Sequence, residues 1–371
     1  MNKEVIRAIN DSPVKAFITT AGAGQSFLPQ FMEFSGASRT VLGGYIPYKQ
    51  ELFDAFIGEK PDRYAGSEAA RKLAVASFLK GVKCNDTKHT VGIGCASSIA
   101  TENERVGRKH KISVALHSRE ITAGFDLVIN QGRSRAEEEK IASDFILTLL
   151  ANSCGVDSGV DLSKIDSYEI FDQYLTKARP ELVELYFGKR TYLSNFEIEK
   201  KDKVVIYPGS FNPVTPAHRE IFEISKKITG ETPVLELSLD NYSKPPLDYF
   251  EIEKRRAGLS GFQFLMTNAP MFIDKVSIIN QLYFPKEMIF VVGLDVLERI
   301  RNWISECSAN LSYLSDWEVM GVKFLVFGRN GKLFNKKDSP MLGSVILNTP
   351  ETWAYNNPVS STEIRTQNQL N

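Results

Sequence analysis

Apolar and polar positions alternate along the chain in two registers. Ala16 to Thr20 form a short run rich in β-branched residues that ends at Ala21-Gly22-Ala23-Gly24, the pattern of a buried strand entering a loop. Residues 66–80 set Ala69, Ala70, Leu73, Ala74, Ala76, Phe78 and Leu79 among charged positions, with Ser67 and Glu68 near the start, which predicts an amphipathic helix. Strands are predicted at 90–94, 111–117 and 121–129, the last two as a hairpin across Ser118-Arg119-Glu120. Residues 134–151 read as a helix in which Glu137, Glu138, Glu139 and Lys140 face water while Ile141, Phe145, Ile146, Leu149 and Leu150 recur at helical spacing.

The stretch from Ser153 to Ser163 is rich in Ser, Gly and Asp and has the composition of a linker; residues 165–200 read as helical bridging material with charges on both sides. At Lys203 the pattern changes. Val204 to Tyr207 form a buried strand, Pro208 to Pro213 a tight loop, and a helix opens near Pro216 with Ile221, Phe222 and Ile224 as its inner stripe. Further strands are predicted at 234–239, 288–292 and 323–327. Strands alternating with helices predict an α/β protein with a mainly parallel, doubly wound sheet in its second half. The expected division is a domain over 1–154, a linker with bridging helices over 155–200, and a second domain over 201–371, without internal repeats or low-complexity tracts.

Composition agrees with this division: 371 residues, at roughly 150 per domain, make two to three domains. Lys plus Arg number 45 and Asp plus Glu 45, so no net field draws the chain to nucleic acid or acidic lipid, and any anion must be met by a local site. The cysteines Cys84, Cys95, Cys154 and Cys307 form no CxxC pair, which fits a reducing compartment. Cys84 and Cys95 flank His89, but three candidate ligands fall short of the four of a structural zinc site. Met1 to Val5 lack the apolar run of a signal peptide, and the apolar stretch Met288 to Leu297, broken by Asp295, is far shorter than the ~20 residues of a membrane span. The expectation is a cytoplasmic protein whose partners are small molecules rather than nucleic acid or membrane.

The candidate chemistry sits at Val204 to Glu223. A strand there delivers a glycine turn whose N–H groups can approach phosphate oxygens, and the next helix points its positive end at the same place. His218 falls at that opening, where an imidazole can stabilise charge during phosphoryl or nucleotidyl transfer. The same residues also suit a plain strand-to-helix corner.

The segment Gly209 to His218, GSFNPVTPAH, resembles the signature of the HxGH nucleotidyltransferase superfamily, in the form found in nicotinamide and nicotinate mononucleotide adenylyltransferases. Thr215 stands where many members have a first histidine; it can bond a phosphate oxygen but carries no charge. Three further segments follow in the family's order. Val359-Ser360-Ser361-Thr362-Glu363-Ile364-Arg365 resembles the second signature, ISSTxIR, which holds the triphosphate, although Ser-Ser-Thr before Glu is also good capping chemistry. Val291 to Leu297, with Gly293 and Asp295, resembles the turn that faces the nucleotides, and Trp303 lies downstream; Val326 to Gly331 resembles the strand-end Arg329 and glycine turn. For the acceptor, the resemblance implies Tyr242 and Lys244 in a loop and Trp353 as a ring that stacks on the pyridine, with Trp303 nearby; Tyr242 and Trp353 suit loop anchors equally. Gly209, Ser210, Phe211 and Asn212 are implied in phosphate binding, with His218 and Thr215 catalytic. The implied reaction transfers AMP from ATP to nicotinamide or nicotinate mononucleotide, in synthesis or salvage of NAD, with Mg²⁺ on the triphosphate and no metal site built from protein alone.

Residues about 13–154 resemble the C-terminal domain of the CinA family, whose active members are nicotinamide-mononucleotide amidases. The resemblance runs through Thr19-Thr20-Ala21, Ser35 to Ser38, Gly43 to Tyr48, Val91 to Gly94 and Gly132-Arg133, and it implies a pocket with Ser38, Tyr48 and Arg133. The family's nucleophilic serine falls at Gly22-Ala23-Gly24 and its lysine near Phe53, so both are missing; in a shifted alignment Ser26 and Lys49 take these roles. A hydroxyl without a neighbouring base is a poor nucleophile. CinA-like domains self-associate, which implies a possible homo-oligomer. Two rivals stand beside the leading reading: a cytidylyl- or adenylyltransferase for another phosphorylated acceptor, and a nucleotide-binding sensor or scaffold without catalysis.

Overall fold

The computed structural model describes residues 1–102, 109–129, 132–162, 170–240, 246–306, 312–328, 342–347, 352 and 355. Two units form, Met1–Val183 with Ser243–Glu251, and Glu184–Tyr242 with Ile252–Asn371.

The first unit runs α1 (Lys3–Asp11), β1 (Lys15–Ala21), α2 (Phe27–Met32), β2 (Val41–Tyr45), α3 (Gln50–Ile57), α4 (Ser67–Gly81), β3 (Thr90–Ala96), β4 (His110–Ser118), β5 (Ile121–Ile129), α5 (Arg135–Ser153) and β6 (Ile170–Lys177). Among the described residues its sheet has the order β2-β1-β3-β4-β5-β6, parallel over β2-β1-β3 and antiparallel from β3 onward. The expected hairpin is present, with His117 opposite Thr122. Alternate residues of each strand face opposite ways: Ile18, Ile93, Val114 and Leu127 join α5 in one cluster, while Ala21, Ala96 and Ala115 join α3 and α4 in another. Helix α4 lies almost on the backbone of β3. A Cβ at Gly92 would fall 2.1 Å from the Ala74 carbonyl oxygen, and one at Gly94 2.3 Å from that of Ala70.

Several expectations are corrected here. Glu138 does not face water: it is fully buried, 2.7 Å from His110 Nδ1, and accepts the Ala100 N–H. Residues 154–162 are no free linker, because Val156, Val160 and Leu162 pack against the first core. Residues 170–177 are a strand rather than bridging helix, paired antiparallel with β5 over its length. An edge strand with one wet face carries charges among its apolar residues, and periodicity alone cannot separate it from a polar helix.

Residues 248–250 belong to this unit through specific bonds. Arg71 Nε lies 3.1 Å from Asp248 Oδ2 with both side chains under a tenth exposed, and its guanidinium sits 4.6 Å over the Phe250 ring. The Tyr249 N–H donates to Thr122 Oγ1, and its hydroxyl donates to the Arg119 carbonyl. His117 is buried between the Phe78 and Tyr249 rings, and burial pushes its pKa down to about 3.

The second unit follows α6 (Pro180–Tyr186), within which the boundary falls, and runs β7 (Tyr192–Ser194), β8 (Lys203–Pro208), α7 (Pro216–Thr229), β9 (Val234–Ser238), α8 (Tyr249–Gly258, of which Tyr249–Glu251 count with the first unit), β10 (Phe264–Thr267), α9 (Phe272–Tyr283), β11 (Glu287–Gly293), α10 (Leu294–Glu306), α11 (Ser312–Val319), β12 (Val322–Phe327) and β13 (Ile346–Leu347). Its described strands take the order β13-β12-β11-β8-β9-β10-β7. All neighbours are parallel except β7, which closes one edge antiparallel to β10. One core cluster joins Val204, Ile206, Val234, Leu265, Phe290 and Phe324 to α9, α10 and Trp317 of α11. The buried residues of α7 are Ala217, Phe222, Ser225 and Thr229, while Ile221 and Ile224 are only half-buried, which corrects the expected inner stripe of Ile221, Phe222 and Ile224.

Two outcomes are expected. Arg71→Met leaves the Asp248 carboxylate buried without its counter-charge and lowers unfolding free energy by about 3–5 kcal/mol in urea titrations. His117 is depressed from an ordinary value near 6.5, so its neutral form stabilises the fold fully above pH 6.5 and progressively less as pH falls towards 3. Between pH 7 and 5 the first unit should lose about 2 kcal/mol, and His117→Gln should flatten that slope.

Candidate active site

In the second unit the chain leaves β8 for β9 on one side and later reaches β11 on the other. Ligands of doubly wound sheets bind beyond the strand ends at such a switch point. The loop 209–215 opens there from β8, and β11 ends at Gly293, directly before α10. The Gly209 N–H donates to the Glu236 carbonyl at 3.0 Å, which fixes where the loop leaves the sheet. Phe211 turns back with φ +44°, next to a cis Asn212–Pro213 peptide, and its side chain is 1% exposed. Its ring meets Tyr207 at 5.7 Å and His218 at 5.3 Å, both centroid distances. A Cβ at Gly209 would fall 2.6 Å from that ring. The Phe211 side chain is therefore a floor for the loop.

Thr215 caps α7, with Pro216 in the first helical turn. The His218 N–H donates to Thr215 Oγ1 at 3.3 Å, and the Thr215 N–H donates to His218 Nδ1 at 2.9 Å, with the hydroxyl oxygen 2.8 Å from the same nitrogen. A backbone N–H can only donate, so Nδ1 is an acceptor and the neutral ring carries its proton on Nε2. Thr215 is 1% exposed and spends its hydroxyl on His218. Its amide and its hydroxyl both meet His218, so the residue that caps α7 also holds the imidazole. A donating imidazole at a helix N-terminus is suited to a phosphate oxygen.

Other expected residues are distributed unevenly. Ser210 is exposed and Asn212 half-buried in the loop. Asp295 lies in the first turn of α10, 3.9 Å from Arg299. Trp303 lies on the same helix, about 12 Å further along at 1.5 Å per residue, and stacks on Tyr313 at 5.6 Å. Arg255 was not foreseen: its Nη1 donates to the Ser210 carbonyl at 3.3 Å and brings positive charge to the loop. In the sequence it is one of two arginines closing a helix and reads as a solvated charge. Tyr242, Lys244, Arg329, Trp353, Ser360, Ser361, Thr362 and Arg365 lie outside the described residues. Among the described residues, no group of three or more His, Cys, Asp or Glu side chains is arranged to hold a metal ion, and no helix is long and apolar enough to cross a membrane.

In the first unit the corresponding crevice lies beyond β1 and β3, and it is filled from within. A Cβ at Gly22 would fall 1.9 Å from the Ser97 carbonyl oxygen, and Ala23 is fully buried. The Glu139 carboxylate accepts the N–H groups of Gly24 and Ser26 at 2.9 and 2.8 Å. Ser26 Oγ lies 2.9 Å from Ser143 Oγ, Lys49 is exposed at the start of α3, and Phe53 is core. None of the described contacts joins Ser26 to Lys49. Ser38 lines an open depression of about 450 Å³ with Met32, Phe34 and Val41. Tyr48, 71% exposed, and Arg133, half-buried before α5, do not line that depression.

Residues 206–367 match the family model described as cytidylyltransferase-like. The second half of the chain carries a cytidylyltransferase-like domain. No curated protein matches the chain. Similar solved structures include a competence-damaged protein (CinA) superfamily protein from Escherichia coli, with 13% identity over 40% of this chain and 89% of that chain and a TM-score of 0.32. A competence/damage inducible protein from Agrobacterium tumefaciens has 15% identity over 40% and 93%, with a TM-score of 0.31. The nicotinic acid mononucleotide adenylyltransferase of Plasmodium falciparum, complexed with APC, has 14% identity over 45% and 83%, with a TM-score of 0.28.

Thr215→Ala should cost about 1 kcal/mol of stability as a lost cap, and Thr215→Ser should restore it. Nitrogen NMR of the imidazole should show the Nε2–H form in all three proteins, because the residue-215 amide that donates to Nδ1 remains.

Proposed function

We propose that the cytidylyltransferase-like domain is a nucleotidyltransferase that moves AMP from ATP to nicotinamide or nicotinate mononucleotide. The observation that carries transfer chemistry is the switch-point loop with His218 held as an Nε2–H donor at the start of α7. An acceptor phosphate oxygen attacks the α-phosphorus, the bond from that phosphorus to the bridging oxygen breaks, and pyrophosphate leaves with the bond's electron pair. Such a displacement needs no covalent enzyme intermediate, so the protein contributes positioning and charge stabilisation. His218 Nε2–H stabilises the developing negative charge, loop N–H groups orient the phosphates, and Arg255 adds positive charge beside Ser210. Mg²⁺ enters as part of the substrate, on the triphosphate. The pyridine acceptor is supported by the form of the GSFNPVTPAH segment, with Thr215 in the first histidine's place. A second reading, with CTP as donor, is favoured by the description of the matching family model.

For the first unit we propose a CinA-like fold without amidase chemistry. Support comes from Ala23 and Phe53 in core positions and from Glu139 on the Gly24 and Ser26 amides.

The test is pyrophosphate release by the full chain with Mg²⁺, each nucleoside triphosphate and a panel of phosphorylated acceptors. ATP with a pyridine mononucleotide should react fastest, and His218→Asn should lower kcat about 10²–10³-fold with little change in melting temperature. Turnover only with a different pair would sink the acceptor assignment, and no turnover at all would leave a nucleotide-binding sensor. Ammonia release from nicotinamide mononucleotide would overturn the reading of the first unit.

A further inference from the structure

The Glu236 carbonyl accepts the Gly209 N–H where the loop leaves β8. Little else of the sheet holds that exit. Strands β8 and β9 pair through Ile206 with Val234, Tyr207 with Leu235 and Pro208 with Glu236, and the last of these has no N–H to give, because proline lacks one. The start of the loop is therefore fixed by Glu236, and Glu236 must be fixed by something other than β8.

Its side chain provides this. Glu236 is 1% exposed, and Lys275 Nζ of α9 donates to its two carboxylate oxygens at 2.9 and 2.8 Å. The Thr267 hydroxyl of β10 donates to Oε1 as well. Lys275 and Thr267 are themselves buried. Two residues on, the Ser238 hydroxyl lies within hydrogen-bond distance of the Asp240 and Ala269 carbonyls, so the exits of β9 and β10 are tied together once more. The residue whose carbonyl holds the loop is thus clamped to a helix and to the strand on its other side.

Stability alone gives this trio little reason to be polar. A buried ion pair is often matched by apolar residues of similar volume, and Val234, Leu265, Val276 and Ile279 of the same strands and helix lie in an apolar cluster. Lys275 also stands in the opening turns of α9, at the positive end of the helix, where a cation is disfavoured. What the trio adds is direction. Apolar contact is non-directional and lets a strand slide, whereas hydrogen bonds to both carboxylate oxygens fix where the carboxylate sits.

We propose that Glu236 is a positioning residue, locked by Lys275 and Thr267 so that its carbonyl holds Gly209, and with it the switch-point loop, in register with His218. The kinetic consequence rests on the nucleotidyltransferase reading; the lock itself does not.

The test compares the full chain with the triple variant Glu236→Met, Lys275→Met, Thr267→Val, which removes the three polar groups together and strands none of them in the core. Its melting temperature should stay close to that of the parent. Pyrophosphate release should show a kcat lower by about 10–100-fold, as misplacement of reacting groups produces, with both KM values within about twofold of the parent's. Parent-like kcat, or raised KM values at unchanged kcat, would overturn the proposal. Should the triple variant fail to fold, Glu236→Gln decides, because it keeps the volume and one acceptor oxygen: a lower kcat at unchanged KM supports the lock, and a parent-like kcat refutes it. Amide hydrogen exchange separates this from failure of the enzymatic reading. If the parent shows no turnover, faster exchange at the Gly209 amide in the variant, with β11 and β12 unchanged, supports the lock. An unchanged Gly209 amide, or equal acceleration across the sheet, refutes it.

Discussion

The imidazole of His218 is held by the same two hydrogen bonds that begin helix α7. In most helices the reciprocal cap is made by a carboxylate or amide three residues after the cap; here a ring nitrogen takes that place. The orientation of the catalytic candidate is thus not a separate feature added to the fold. At this helix start Nδ1 faces the Thr215 amide, and with Nδ1 so committed the ring's proton lies on the other nitrogen. Beneath it, Phe211 sits on Tyr207 and needs the absence of a side chain at Gly209. Cap, ring and loop form one assembly at the end of β8.

The two units present the same topological opportunity and treat it differently. In each, a central strand has its next neighbour on one side and a later one on the other, which leaves a crevice beyond the strand ends. In the second unit the crevice is bordered by the loop with its donor histidine and by the start of α10. In the first, strand ends touch through Gly22 and Ser97, and a carboxylate from α5 takes the amides a ligand would use. Backbone amides satisfied by an internal anion have little to offer an external one. Among the described residues, the switch-point loop of the second unit keeps a donor histidine at a helix start, while the Gly24 and Ser26 amides of the first are already taken.

Much of the fold was legible because it is written in local chemistry. The hairpin at 110–129 has alternating apolar residues and a short polar turn, α5 has a serine cap before a helical stripe, and the parallel strands β8, β11 and β12 are continuous apolar runs; each depends on neighbours in sequence. What was misread depends on neighbours in space. Residues 170–177 become a strand because β5 offers an unpaired edge. Glu138 looks like surface charge until His110 and the Ala100 amide are brought to it.

The site divides along the same line. The sequence by itself determined that a glycine loop, a capped helix and a histidine would stand together after β8, because residues 204–218 form one continuous segment whose geometry is local. It also determined neutrality, and with it the need for a local anion site. Only the tertiary structure decided that Arg255 reaches the loop from another helix, and that Tyr355 reaches back to Glu220 across 135 residues. Hydrogen bonds between distant positions leave no periodicity in the chain. They exist only once packing has brought donor and acceptor within three ångströms or so of each other.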